Sequence, residues 1–229
     1  MNLKTLPIVI KKYILIFPTK ATSNLCRVAF NPLIFTKHQS IDTAKLFALK
    51  NFKIKKFEAS KISEYNEINS ICTKIYNLTE GEAKFPPEIT LKNSKNTRYD
   101  GDYSDGKINL IKHNSYMQSL IHEIGHYNHE KMSSNYLKMG KLEEIKNDMF
   151  YPDYLIYNKF MKDSKNLKLI KTYLGGYATS SPAEFVAEFF TAAINNKKLP
   201  KELFNLYKEY EGPCADILFK QYQKLGYLL

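Results

Sequence analysis

The chain has 229 residues, 44% of them hydrophobic and 25% charged, with nine Gly and nine Pro. That length fits one domain with an appended segment, and that balance excludes disordered, collagenous and low-complexity chains. The formal charge is +11, but of the basic residues only Arg27 and Arg98 are Arg. Readers of phosphates and base edges lean on the bidentate Arg fork, so a solvated Lys-rich surface is expected and nucleic acid is not.

The charge is uneven. Residues 1–41 carry six bases and no acid, whereas residues 42–229 carry 28 bases and 23 acids. Ile8 to Phe17 is apolar, yet Lys11 and Lys12 divide it, far short of the roughly 18–20 apolar residues of a spanning helix. No membrane span is expected. A basic, acid-free start fits an export or targeting segment, although Tyr13 to Phe17 is shorter than the apolar run of about 7–15 residues that a signal peptide needs. Cys26, Cys72 and Cys214 form neither a CxxC pair nor a disulfide framework, which favours a reducing, cytoplasmic setting.

From residue 40 the pattern becomes regular. Ser40 opens a short helix over 41–50, and 52–57 alternates apolar and basic residues like an exposed strand. We therefore read 1–59 as a basic peripheral extension and 60–229 as the main domain. Ser60 or Ser63 can cap a helix whose apolar residues, from Ile62 to Leu78, recur at three and four; Gly81 and Pro86-Pro87 end it. Strands follow at 88–92, 97–103 and 107–111, the last two joined as a hairpin through Ser104-Asp105-Gly106. Ser115, with Gln118 three residues on, opens a helix that runs to about Glu130. Helices are then expected near 142–150, 153–162, 182–196, 201–210 and 214–225. Strands and helices mix first and helices follow, so the fold class is α+β.

The informative stretch is His122-Glu123-Ile124-Gly125-His126, an H-E-x-x-H on a helix. Residues four apart differ by only about 40° around a helix axis, so both imidazoles leave one face and can reach one metal ion. Two imidazoles and a third protein group leave zinc a fourth position for water. Glu123 lies beside the pair, where it can act as general base on that water.

The third ligand is open on residues alone. His129 and Met132 occupy the positions where an extended motif needs Gly and His, and no His follows His129. A carboxylate from a later helix is the natural donor. Glu184 and Glu188 lie four apart on an otherwise apolar helix with Phe185, Val186, Phe189 and Phe190, where uncompensated carboxylates are costly. Alternatively, Ser181-Pro182-Ala183-Glu184 forms a capping box, and Glu184 only binds backbone. His129 itself is expected to be a solvated histidine near the helix end. The many Tyr and Phe are expected in the core.

With Tyr177, Glu184 and Glu188 downstream in the spacing Y-x6-E-x3-E, the H-E-x-x-H resembles that of gluzincin metallopeptidases. It is most similar to the anthrax lethal factor-like catalytic domains, over about 115–195. The resemblance implies a zincin-like fold and a zinc-dependent endopeptidase acting on protein or peptide substrates with one zinc per chain. It implies His122, His126 and Glu184 as ligands and Glu123 as base. Tyr177 would stabilise the oxyanion, Glu188 would support a ligating imidazole, and 107–111 would be an edge strand open to an extended peptide. An inserted helical segment near 139–165 would account for the 58-residue step from His126 to Glu184. Two other classes compete: a catalytically idle zincin-fold component of a phage or mobile element, and a basic nucleic-acid-binding module resting on the N-terminal charge alone.

Overall fold

The computed structural model describes residues 30–93, 101–113, 115–135 and 154–229. Two compact units divide the chain, Met1–Asn31 and Pro32–Leu229; all but two residues of the first lie outside the described residues, as does the expected helix at 142–150. The second unit is mixed α and β. Its elements are α1 (Ile41–Phe52), β1 (Lys56–Glu58), α2 (Ile62–Leu78), β2 (Glu88–Lys92), β3 (Gly101–Ser104), β4 (Lys107–Ile111), α3 (Tyr116–Met132), α4 (Tyr154–Lys162), α5 (Ser164–Leu174), a 3-10 turn (Tyr177–Thr179), α6 (Pro182–Ile194), α7 (Lys201–Glu209) and α8 (Ala215–Leu225). No described helix is long and apolar enough to cross a membrane.

The boundary expected at 59/60 falls inside this unit. Ala44, Ala48 and Phe52 on α1 are buried with Ile68, Cys72 and Ile75 of α2. The α2 side chain Asn69 donates to the Ala44 carbonyl at 3.0 Å. The stretch 52–57 is also not an exposed strand: Phe52 closes α1, only Lys56–Glu58 is extended, and Phe57 is buried against Tyr65. The Lys-rich spacing there made a helix end and a short strand look like a solvated periphery.

The sheet has the order β1-β2-β4-β3, with β1, β2 and β4 parallel and β3 antiparallel to β4. The hairpin turn is the one the sequence names, since Asp105 and Gly106 both take positive φ (50° and 75°), as a tight hairpin requires. The register pairs Gly101 with Leu110 and Ser104 with Lys107. One expectation fails here. β4 is an interior strand, and among the described residues the edges are β1 and β3. A hairpin partner was expected, but its place in the sheet depends on β2 inserting beside β4, a pairing between residues 19 apart that no local signal encodes.

Helix α3 is fastened at both ends. At its start, Lys112 pairs with Glu64, and the Tyr116 hydroxyl bonds Glu67, both acids from α2. Neither expected serine caps α2. The Glu64 carboxylate does so, accepting the N–H groups of Ser60 and Lys61 at 2.8 and 3.0 Å. Ser115 likewise makes no side-chain cap to α3. Along α3, Asn128 is fully buried and clamps Lys84, accepting its N–H at 2.7 Å and donating to its carbonyl at 2.8 Å. Past the last turn, Ser133, Ser134 and Asn135 all bond the Glu211 carboxylate. The second layer is α6, whose Phe185, Val186, Phe189 and Phe190 are fully buried. Phe189 stacks on Tyr207 of α7, ring centroids 4.1 Å apart. Each such side chain contributes about 1.5–3 kcal/mol of burial, so α6 is held in place largely by its aromatic face.

Candidate metal centre

Helix α3 crosses α6 so closely that glycine is needed between them. A Cβ on Gly125 would lie 3.2 Å from the Ala187 Cα and 3.4 Å from Phe190. The middle glycine of the motif, which no sequence argument had singled out, therefore lets the backbones approach; a glycine inside an apolar helix face was the available signal. This approach brings the histidines of α3 to the acids of α6.

Three atoms converge. His122 Nε2 and His126 Nε2 are 3.0 Å apart, and Glu184 Oε2 lies 3.1 Å from the first and 3.3 Å from the second. All three residues are buried, and they form the one group among the described residues whose ligand atoms could together hold a metal ion. Tetrahedral ligands at the 2.0–2.1 Å typical of zinc–nitrogen and zinc–oxygen bonds stand about 3.3 Å apart. The donor set fits such an ion. One proton can bridge only two of these atoms, whereas one cation can satisfy all three.

The capping-box reading of Glu184 is half realised. Ser181 caps α6, its hydroxyl accepting the Glu184 N–H at 3.1 Å, and Pro182 occupies the first turn. The Glu184 carboxylate nevertheless reaches the two imidazoles. One residue uses its backbone for the cap and its side chain for the cluster. Glu188, one turn on, sits behind the cluster with Oε1 3.1 Å from His122 Nδ1. Once His122 gives up its charge, that contact keeps the remaining proton on Nδ1 and turns the Nε2 lone pair toward Glu184 and His126. His126 Nδ1 has no such partner among the described residues.

The acids also set the protonation of the cluster. Burial opposes charge on His122, but its bonds to Glu184 and Glu188 prevail and push it up to about 10. Burial likewise opposes charge on Glu184, and the two imidazoles hold its carboxyl well below the usual range. The folded-state value of His122 is raised, so in metal-free protein its charge contributes stability that is full below pH about 6.5 and lost as pH rises through about 10. Metal must displace that proton. Binding at pH 8 should release about one proton from His122, and affinity should climb about tenfold per pH unit up to about pH 10. Calorimetry in buffers of different ionisation enthalpy measures this; a pH-independent affinity between 7 and 9 would contradict the assigned proton.

Glu123 is buried beside the cluster, and burial raises its pKa, with the fields of Glu184 and Asp102 acting in the same direction against the histidines. Edge strand β3 runs past it: a Cβ on Gly101 would lie 3.6 Å from the Glu123 Cγ. Tyr177 stands over His122, ring centroids 5.9 Å apart, and is 54% exposed, so it can touch an incoming ligand. Gly175, with φ 99°, ends α5 in a conformation other residues rarely adopt and lets the chain turn into Tyr177–Thr179. Burial, the nearby charge of Glu184 and a hydrogen bond to it raise the Tyr177 phenol, which remains a donor at neutral pH.

The histidine expected in solvent is not there. His129 is fully buried, donates from Nε2 to the Tyr210 carbonyl at 3.0 Å, and is lowered to about 4 by burial, so it is neutral. It ties α3 to the end of α7 across 81 residues of sequence. The structure thus gathers His122, Glu123, His126, Tyr177, Glu184 and Glu188 and excludes His129. No family model, no curated protein and no solved structure matches the chain.

Proposed function

We propose that this protein is a zinc-dependent endopeptidase of gluzincin type, with a zincin-like arrangement similar to the lethal factor-like catalytic domains. The observation that carries the reading is the meeting of His122 Nε2, His126 Nε2 and Glu184 Oε2 within 3.3 Å, with Glu123 buried alongside. Two imidazoles and a carboxylate suit zinc better than the oxygen-loving Mg2+ or Ca2+. Bound there, zinc would polarise a peptide carbonyl and acidify a water.

The rest falls to the chain's own residues. Glu123, its basicity raised by burial, accepts a proton from the attacking water and passes it to the departing amine. The Tyr177 hydroxyl donates to the carbonyl oxygen as charge develops on it. Glu188 keeps His122 in one tautomer. An extended substrate lies antiparallel or parallel along β3, the edge strand beside Glu123, with its main chain bonded to the strand. On this reading peptide recognition falls to β3 rather than to 107–111.

Zinc content is the first test. Elemental analysis of dialysed protein should give about one zinc per chain, falling sharply in His126→Ala; full retention in both His122→Ala and His126→Ala would reject the site. Tyr177→Phe should retain zinc and lose about 10²–10³ in kcat with little change in KM, as for removal of one oxyanion donor. Activity equal to the parent would remove Tyr177 from the chemistry.

A further inference from the structure

A groove between α1 and the outer side of β1 takes no part in the machinery above. Its volume is about 360 Å³, near the low end of the roughly 300–1,000 Å³ of ligand pockets. Ile54 and Phe57, both buried, form its floor, while Leu46 and Leu49 on α1 form a wall and are 63% and 45% exposed. Lys45, Lys55 and Lys56 stand around it. Between residues 45 and 58 the chain carries five Lys and a single acid, Glu58. Lys56 pairs with Glu88 at 2.6 Å and lies 3.9 Å from Glu58, the one acid lining the groove. Lys45 lies over the Tyr65 ring, 5.7 Å from its centroid, and neither it nor Lys55 has a carboxylate partner among the described residues.

We propose that this groove docks a short acidic segment of a partner protein that carries leucine-like side chains. The apolar side chains would seat against Leu46, Leu49 and the Phe57 floor, and the carboxylates would meet Lys45 and Lys55. Charge selects this occupant. Residues 1–29 of the chain carry five bases and no acid, and a second copy brings a net +11, so neither neutralises a lysine rim. Strand addition is disfavoured as well. The Tyr65 hydroxyl donates to the Phe57 carbonyl at 3.4 Å and accepts the Ala59 N–H at 3.1 Å, so the outer main chain of β1 is already engaged. Recognition must come from side chains.

The inference does not depend on peptidase activity, so it is tested by binding, with the full chain carrying Glu123→Ala to prevent cleavage of the probe. The probe is a fluorescein-labelled peptide of about twelve residues repeating Glu-Leu-Glu-Glu-Leu-Leu, of the anchor spacing helical ligands use. Controls replace every Leu by Ser or every Glu by Lys. Fluorescence anisotropy should show saturable binding of the first peptide only. Leu46→Ser/Leu49→Ser and Lys45→Glu/Lys55→Glu should each weaken it at least about tenfold. Both pairs sit on the surface, and unchanged thermal melts would establish that they fold. Equal binding of the Ser-for-Leu peptide would reduce the groove to a polyanion surface and overturn the proposal. So would an undiminished signal in either double variant. Two results reassign the groove: sedimentation onto phosphatidylserine vesicles lost in Leu46→Ser/Leu49→Ser, with no peptide bound, makes it a lipid contact, and a dimer that this variant dissociates makes it a self-contact.

Discussion

Glu184→Gln should strip the protein of zinc, whereas Glu188→Gln should leave it loaded. The two acids stand one helical turn apart on α6 and look interchangeable in sequence, but they face different atoms. Glu184 Oε2 lies 3.1 and 3.3 Å from the two Nε2 atoms that face one another, while Glu188 Oε1 lies 3.1 Å from the far nitrogen of His122. Replacing Glu184 by the amide removes the one anionic donor of the set. Affinity should fall by at least about 10³-fold, beyond the roughly 10–100-fold that losing support for a ligand costs. Gln at 188 can still accept the His122 Nδ1–H, so its effect should stay within that smaller range. Chelator competition on the two variants measures both. Because the Ser181 cap uses the Glu184 backbone N–H, the cap survives either change, but metal-free Glu184→Gln should melt below the parent near neutral pH, since it loses the carboxylate that helps hold the charge on His122. A silent Glu184→Gln beside a severe Glu188→Gln would move the ligand one turn along α6.

Glu123→Ala should separate metal from chemistry. Its carboxylate touches neither Nε2 atom in the contacts that define the cluster, so zinc content and melting behaviour should be retained. Turnover should nevertheless fall by about 10⁴ or more, since a general base in contact with the reacting water contributes about 10²–10⁴ and in the proposed mechanism also delivers the proton to the leaving amine. The pH profile carries the same information. The acid limb of kcat/KM that the Glu123 carboxylate sets should vanish from the residual activity of the variant. A variant that loses zinc together with activity would instead place Glu123 among the ligands.

Much of this arrangement was legible in the chain, and the exceptions share a cause. The cluster was readable because H-E-x-x-H and the Glu184–Glu188 pair are helical spacings, which fix side-chain direction locally. Meeting of the two helices was implied only by resemblance; physically it depends on Gly125 and on the aromatic face of α6. Burial of His129 depends on a carbonyl 81 residues away, and the interior place of β4 depends on β2 pairing in parallel beside it. Neither leaves a local trace. Residues 41–58 were misplaced for a different reason: their lysines dominate the pattern, while the inward Ala44, Ala48, Phe52 and Phe57 are few. Helix α5, with Lys at three of its eleven positions, escaped notice for the same reason.

Cleavage-site profiling tests the central claim most directly. Zinc-loaded parent and Glu123→Ala protein would each be incubated with a denatured proteome, and new peptide N-termini would be counted by mass spectrometry. The account predicts new internal termini with the parent alone, abolished by a zinc chelator and restored by added zinc. No new termini from fully loaded parent, or the same termini from Glu123→Ala, would contradict a peptidase that works through His122, His126, Glu184 and Glu123.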